Sequence, residues 1–403
     1  MKIITLSFKY LWSRPLAAGL NVLLLALGVA SITLVLLISS QIDRAFERDL
    51  KDIDVVVGAK GSPMQLILAG VFHIDTPTGN ISLAEVKNLQ QDPRVASLIP
   101  LSLGDSFRGF RIVGTMADYV LHYEAKLAQG AMFNLPLEAV LGAEVAKSTG
   151  IAPGNSFIGS HGLSTNGHAH GDTPYQVTGV LAPCGCVLDR LILTATESVW
   201  RVHEKAIEGD TKLDAEDKKA IEEDREVTMA LIRYKSPLAA VSFPRFVNTT
   251  TNMQAAAPAI EITRLLRMVG VGTDVLRGFG AVLLLTAGLS VFIALWNAVR
   301  ERRADLAMLR MLGASPQKVA GLLVCEALWL AILASVLGLF LGHILTGVAG
   351  YLLQTEKSLP VTGWIWLGQE WAIPATAVVV AVVAALIPAI AAYRVDVQAL
   401  LKS

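Results

Sequence analysis

Four long apolar runs and one long mixed stretch organise the chain. Runs with almost no charge, each long enough to cross a bilayer, lie at about 16–42, 278–299, 319–350 and 372–393. Between the first and second run stand residues 43–277, far too many for a loop, so this stretch predicts a folded domain. Within it, "DIDVVVGAKGSPMQLIL" reads as a β-branched strand followed by a turn. "SLAEVKNLQQDPRVASLIPLSL" predicts a helix with Ser82 as N-cap and Glu85 three positions on, then a strand. "FRGFRIVGT" and "YQVTGVLAPC" read as further strands. "RVHEKAIEGDTKLDAEDKKAIEEDREVT" (201–228) is charged with both signs and predicts a solvated helix and loop.

Composition agrees with membrane spans: 53% of the 403 residues are hydrophobic and only 17% are charged. The formal net charge is zero, so no global basic field argues for nucleic acid. The positive residues are unevenly placed. Lys2, Lys9 and Arg14 precede the first run, Arg300, Arg302, Arg303, Arg310 and Lys318 crowd the link between the second and third, and Arg394 and Lys402 follow the fourth. The positive-inside rule puts these three segments in the cytoplasm and the 43–277 domain outside. The uncharged stretch from Leu16 to Ile42 would cover roughly 40 Å as a helix. It exceeds a signal-peptide core, so the start reads as a retained anchor. The link 351–371 also falls outside, with Tyr351, Trp364, Trp366 and Trp371 suited to an aromatic belt.

Two ionisable residues stand inside the runs, Glu326 and His343. An intramembrane charge is a functional candidate, while Glu326 placed near the inner end can equally snorkel or cap a neighbouring helix. Gly338 and Gly342 give a small-xxx-small spacing for close helix packing. So few polar groups make a poor conduit for a hydrophilic solute.

The cytoplasmic stretch "RERRADLAMLRMLGASPQKV" (300–319) has apolar Leu306, Leu309, Met311 and Leu312 with charges between them. Gly313 supplies a helix stop, and Ser315 with Pro316 a restart. It predicts a short amphipathic helix on the membrane face. The stretch resembles the signature of the MacB/FtsX-type ABC transporter permeases, carried here by Arg303, Asp305, Leu306, Leu309, Arg310, Leu312, Gly313 and Ala314, with Asp305 where Glu is commoner. Glu326-Ala327 and the glycines of the third run match the same habit, and the one-plus-three order of runs around an outside domain matches its architecture.

That resemblance implies a bacterial inner-membrane protein of α+β class: four transmembrane helices with a large periplasmic α/β domain between the first two. "EAVLGAEVAKSTGIAPGNSFIG" resembles the segment that opens the family's smaller β-rich insert, here about 138–200. The parts would be an anchor (1–42), the periplasmic domain (43–277), three spans (278–393) with a coupling loop at 300–317, and a cytoplasmic tail (394–403). The resemblance further implies a homodimer, a cytoplasmic ABC ATPase that grips the 300–317 loop, and stalk helices at "DRAFERDL" (43–50) and 257–278. No Gly-x-x-x-x-Gly-Lys-Ser/Thr loop is present, "GAKGSP" having the wrong order, so ATP is expected on a separate subunit and no enzyme activity here.

"SHGLSTNGHAHGDTPY" (160–175) packs His161, His168 and His170 into ten positions, three of the seven histidines, with Cys184 and Cys186 following in "CGC". Such ligands suit zinc or copper; a polar hairpin tip is the competing reading. The intervening strand of eight residues would separate histidines and cysteines by roughly 26 Å, so they predict two places, not one. For the cysteines a disulfide, a metal-binding thiol pair and two buried free thiols all stand open. "FHIDTPTGN" offers His73 and Asp75 as another patch or as a loop. Similarity of the histidine run and of "VVGAKGSP…HIDTPTGN" to bacterial permeases of this branch, some accompanying zinc-responsive genes, implies zinc as the first ion.

The sequence thus points to the transmembrane subunit of an ABC system that moves its periplasmic domain on an envelope partner, such as a lipoprotein or a periplasmic metal-binding protein. The alternative is a regulatory membrane scaffold that activates a periplasmic partner such as a cell-wall hydrolase. A secondary metal transporter is disfavoured by scarce ligands in the spans, and a metalloenzyme by the absence of an evident general base beside the ligands.

Overall fold

The computed structural model describes residues 3–162, 173–208, 224–356 and 361–394, which fall into two units, a helical one (1–43 and 268–403) and a sheet one (44–267). The helical unit opens with an amphipathic helix, Ile3–Leu11, that buries Ser7 and Leu11. Four helices long and apolar enough to cross a membrane follow: Pro15–Asp49, Asp274–Glu301 within the longer helix Pro258–Glu301, Pro316–Leu352 within Pro316–Glu356, and Gly368–Tyr393. The helices Pro15–Asp49 and Pro258–Glu301 each run unbroken through the border between the two units' residues.

Small residues set the helix spacing. A Cβ at Gly338 would stand 2.6 Å from Val29 Cβ, and one at Gly342 would stand 2.7 Å from Thr33 Cβ, so the small-xxx-small pair is where the first and third spanning helices touch. The core between the helices is aliphatic: Leu25, Val29, Leu284, Val291, Leu295, Leu323 and Leu330, with Ala377, Ala381 and Ala385 of the last helix closing it.

Among its described residues the sheet unit carries thirteen strands: β1 (Val55–Ala59), β2 (Ile81–Ser82), β3 (Val95–Phe107), β4 (Phe110–Thr115), β5 (Leu127–Gly130), β6 (Glu138–Leu141), β7 (Ser156–Phe157), β8 (Ser160–His161), β9 (Tyr175–Leu181), β10 (Leu191–Ala195), β11 (Glu226–Val227), β12 (Met229–Tyr234) and β13 (Met253–Ala256). The main sheet runs β13-β1-β12-β3-β4-β10-β6-β9-β5. Strand β3 is its spine: residues 95–101 pair with β12, while 102–107 pair with β4 and, at its end, β8. The stretch 138–200 contributes β6 to β10 and joins the rest through β10 on β4, β8 on β3 and β9 on β5. One of its faces builds a core of its own from Ile112, Leu141, Phe157, Tyr175 and Ile192. The opposite face shares a larger core with Leu66, Leu101, Val113, Tyr119 and Leu193.

Local differences from the sequence reading have plain causes. Ser82 does precede the helix Leu83–Gln90, in extended backbone paired in β2 against Glu226, but it makes no side-chain cap. "GSPMQL" forms a helix, Pro63–Gly70, rather than a turn: Ser62 accepts from Gln65 N at 3.4 Å and Pro63 sits in the first turn, a favourable start. Of the charged run 201–228, residues 209–223 lie outside the described residues, as does the tail with Lys402.

Candidate functional site

The cytoplasmic stretch read as a coupling loop holds a short helix, Arg303–Met311, ended by a Schellman turn. Ala314 N bonds Leu309 O and Gly313 N bonds Arg310 O, both at 3.0 Å, with Gly313 at φ +91°. That left-handed position is why Leu-Gly-Ala closes the helix. Leu306 and Ala307 face inward, Leu309 and Arg310 are half-buried, and Ala314 packs on the core of the helical unit. Arg303, Asp305 and Gly313 face outward together with an apolar trio, Met308, Met311 and Leu312. Met308 escaped the sequence reading, although its spacing of three to Met311 places both on one face.

Between the second spanning helix and this coupling helix sits one break residue, Arg302, at φ −97° and ψ 20°. Its side chain holds three elements together. Nη1 donates to Glu326 Oε1 at 3.2 Å on the next helix, and Nη2 donates to Tyr10 O at 3.0 Å and Ser13 Oγ at 2.9 Å. The guanidinium also lies over the Tyr10 ring, 4.7 Å from its centre. Tyr10 is in the last turn of the amphipathic helix, where a cation meets the negative end of the helix dipole. Phe8 packs edge-on against Trp329 at 5.1 Å, and Arg14 pairs with Glu301. Glu326 is therefore an ion-pair partner that ties the coupling link to its neighbours. A separation of 24 positions from Arg302 hides that pairing from any local pattern.

At the opposite end of the third spanning helix, His343 Nδ1 meets Gly363 O at 2.7 Å and Nε2 meets Glu370 Oε2 at 3.0 Å. Glu370 Oε1 also accepts from Leu367 N at 2.7 Å. Gln41 reads the backbone of Thr362 in both directions: its Oε1 accepts from Thr362 N at 2.8 Å, and its Nε2 donates to Thr362 O at 3.0 Å. The segment 361–371 is thus fastened to the first and third spanning helices.

The metal candidates separate. His161 is the one histidine of its loop that is described; it pairs with Asp105 across β8 and β3, Nδ1 to Oδ1 at 3.0 Å. His168 and His170 lie outside the described residues. Cys184 and Cys186 form a disulfide with each other. This corrects the metal reading of the pair, since a metal takes thiolates and a disulfide has none. Asp189 holds the turn by accepting from Cys184 N at 3.0 Å and Gly185 N at 2.7 Å. No group of three or more metal-ligating side chains occurs among the described residues. His73, read as part of a patch or loop, is buried, with Nε2 2.9 Å from the Tyr119 hydroxyl.

Two family profiles cover most of the chain. The one described as MacB-like periplasmic core domain matches residues 18–240, and the one described as FtsX-like permease C-terminal matches residues 277–397. Among solved structures, the periplasmic region of MacB from Actinobacillus actinomycetemcomitans is similar at 11% identity and a TM-score of 0.35, covering 54% of this chain and 95% of that one. The extracellular domain of the noncanonic ABC-type transporter YknZ from Gram-positive bacteria is similar at 11% identity and a TM-score of 0.30, covering 50% and 98%. No curated protein matches.

Proposed function

From the premise that this chain belongs to the MacB/FtsX-type ABC transporter permeases, as an inner-membrane transporter subunit with a large periplasmic domain, we propose that it converts ATP hydrolysis by a separate cytoplasmic ATPase into movement of that domain. The observation that carries this reading is the coupling helix Arg303–Met311, which offers Met308, Met311 and Leu312 to a partner while Arg302 binds its root to two other helices. An apolar trio rimmed by Arg303 and Asp305 has the make-up of a docking face. A push on the coupling helix would reach the amphipathic helix and the third spanning helix through one guanidinium. The unbroken helices Pro15–Asp49 and Pro258–Glu301 are the parts suited to carry it outward. Two copies would act together, and cargo would not pass between helices whose shared core is aliphatic.

The test uses the full chain co-expressed with the ATPase. Met311→Glu with Leu312→Glu changes two exposed side chains, so the fold should stand while the ATPase no longer co-purifies. A complex recovered intact from that variant would overturn the docking role of this face.

A further inference from the structure

Among the described residues, three side-chain nitrogens of the sheet unit are enclosed without a hydrogen-bond partner, Arg111 Nη1, His73 Nδ1 and His122 Nε2, and only the first is a guanidinium's. Arg111 lies on β4 and keeps 6% of its surface exposed. Its neighbours explain how it came to be inside. Val113, two residues on, and Leu191, its partner across β10, both belong to the large core, so position 111 points to that same face. A methionine or leucine would fill this place without the cost of desolvating a charge. A buried guanidinium with an enclosed, unpartnered nitrogen instead reads as one half of an interaction.

The surroundings narrow its other half. Burial pushes Arg111 below the usual guanidinium range, offset in part by the charge of Asp75. His73 is held well below the usual imidazole range by burial first, then by the charges of Arg111 and Arg190. It is therefore a neutral ring with one nitrogen still available. Arg190 has Glu144, Asp49 and Asp189 near it, which leaves Arg111 as the less compensated charge. His73 also adopts φ +54°, a left-handed backbone rare for a side-chain-bearing residue and of the kind found at binding sites.

We propose that Arg111 anchors a binding site for an anionic group, carboxylate or phosphate, in the unit that acts on the transporter's partner. A planar guanidinium fork matches either oxyanion with two parallel bonds. The site is wired to the membrane-derived helix. His73 meets the Tyr119 hydroxyl, the Tyr119 ring packs edge-on to Tyr123 at 5.4 Å, and Tyr123 OH donates to Asp49 O at 3.0 Å, at the last residue of helix Pro15–Asp49. Occupancy at Arg111 thereby bears on the end of that helix. This last step rests on the proposed function; anion binding itself does not.

The test takes the full chain in phosphatidylcholine nanodiscs and titrates inorganic phosphate and acetate against chloride of equal ionic strength, following the unfolding temperature and calorimetric heat. A saturable rise with either anion is expected. Arg111→Met should weaken it by roughly tenfold or more, the worth of a charged hydrogen bond, while unfolding without anion at the same temperature or higher. Nanodiscs containing phosphatidylglycerol distinguish a lipid headgroup from a free ion: a rise there without added phosphate, lost in Arg111→Met, names the headgroup. Wild type responding to neither anion nor lipid overturns the site, as does a response that survives in Arg111→Met. Should Arg111→Met fail to fold, Arg111→Lys, which keeps charge but loses the fork, must lower affinity for the anion; equal affinity overturns the proposal. None of these measurements involves the ATPase, so they stand or fall apart from the docking test.

Discussion

Buried acids find partners in both units, Asp105 with His161 and Glu261 with Arg264 in the sheet unit, but one buried base of the sheet unit stands apart. Among the described residues of the helical unit both buried acids are matched, Glu326 by Arg302 and Glu370 by His343, and each pair is reinforced by backbone hydrogen bonds. In the sheet unit Arg111 is buried too, yet among the described residues one of its nitrogens has no hydrogen-bond partner. Matched pairs hold helices in fixed relation where no water can compensate a stray charge. An unmatched charge in a water-facing unit can be satisfied by something that comes and goes. The difference separates charges that hold the protein's own parts from a charge kept for another molecule.

The largest expected effect breaks the matched side. Arg302→Ala strands Glu326 in a nearly closed site, and loss of one partner of a buried pair costs about 3–5 kcal/mol. Denaturant unfolding should show it, and Arg302→Ala with Glu326→Ala should recover a good part. If the double variant is as unstable as the sum of the singles, the pair is not coupled.

Next in size is the pair at the other end. A carbonyl accepts only, so His343 Nδ1 must carry its proton toward Gly363 O. One further proton then lies between Nε2 and Glu370, on either partner. His343→Leu leaves Glu370 and Gly363 O without this partner and should cost about 1–3 kcal/mol. Hydrogen exchange of residues 361–371 should rise in that variant; unchanged protection would show that Gln41 and Leu367 suffice to hold the segment.

The smallest effect concerns pH in the sheet unit. His73 in the folded chain titrates well below 6.5, while unfolded it returns to that value, so the unfolded state binds more protons as pH falls beneath 6.5. Stability due to His73 is full above that pH and drains away in acid, with a slope of up to about 1.4 kcal/mol per pH unit. His73→Gln should flatten the acid limb of unfolding temperature against pH by that share. Identical limbs would mean that the ring is reached by solvent.

How much of this was legible beforehand depends on range. The four apolar runs, the basic link and the Leu-Gly-Ala stop are local patterns, and the Schellman turn at Gly313 is what that tripeptide encodes. The tie between Gln41 and Thr362 spans 321 residues, and no periodicity announces it. Arg111 was hidden for another reason. In "FRIVGT" both faces of β4 are buried, so alternation that would mark an exposed arginine on a half-buried strand fails here. The disulfide at Cys184 and Cys186 was one of three open readings because spacing alone fixes neither redox state nor ligand.

The register of the main sheet bears on how such a protein is made. Strand β1 follows directly on the first spanning helix, yet both its partners come late: Val56 lies beside Leu231 on one side and Ala256 on the other. About 175 residues must therefore emerge before the Val-Val-Val core of β1 is covered on one edge, and about 200 before it is covered on both. Until then an apolar strand with two open edges stands next to the membrane anchor, the state most exposed to wrong pairing. The last strand to arrive, β13, closes the sheet, so a chain truncated before Met253 would keep its anchor and lose the partner that shields it.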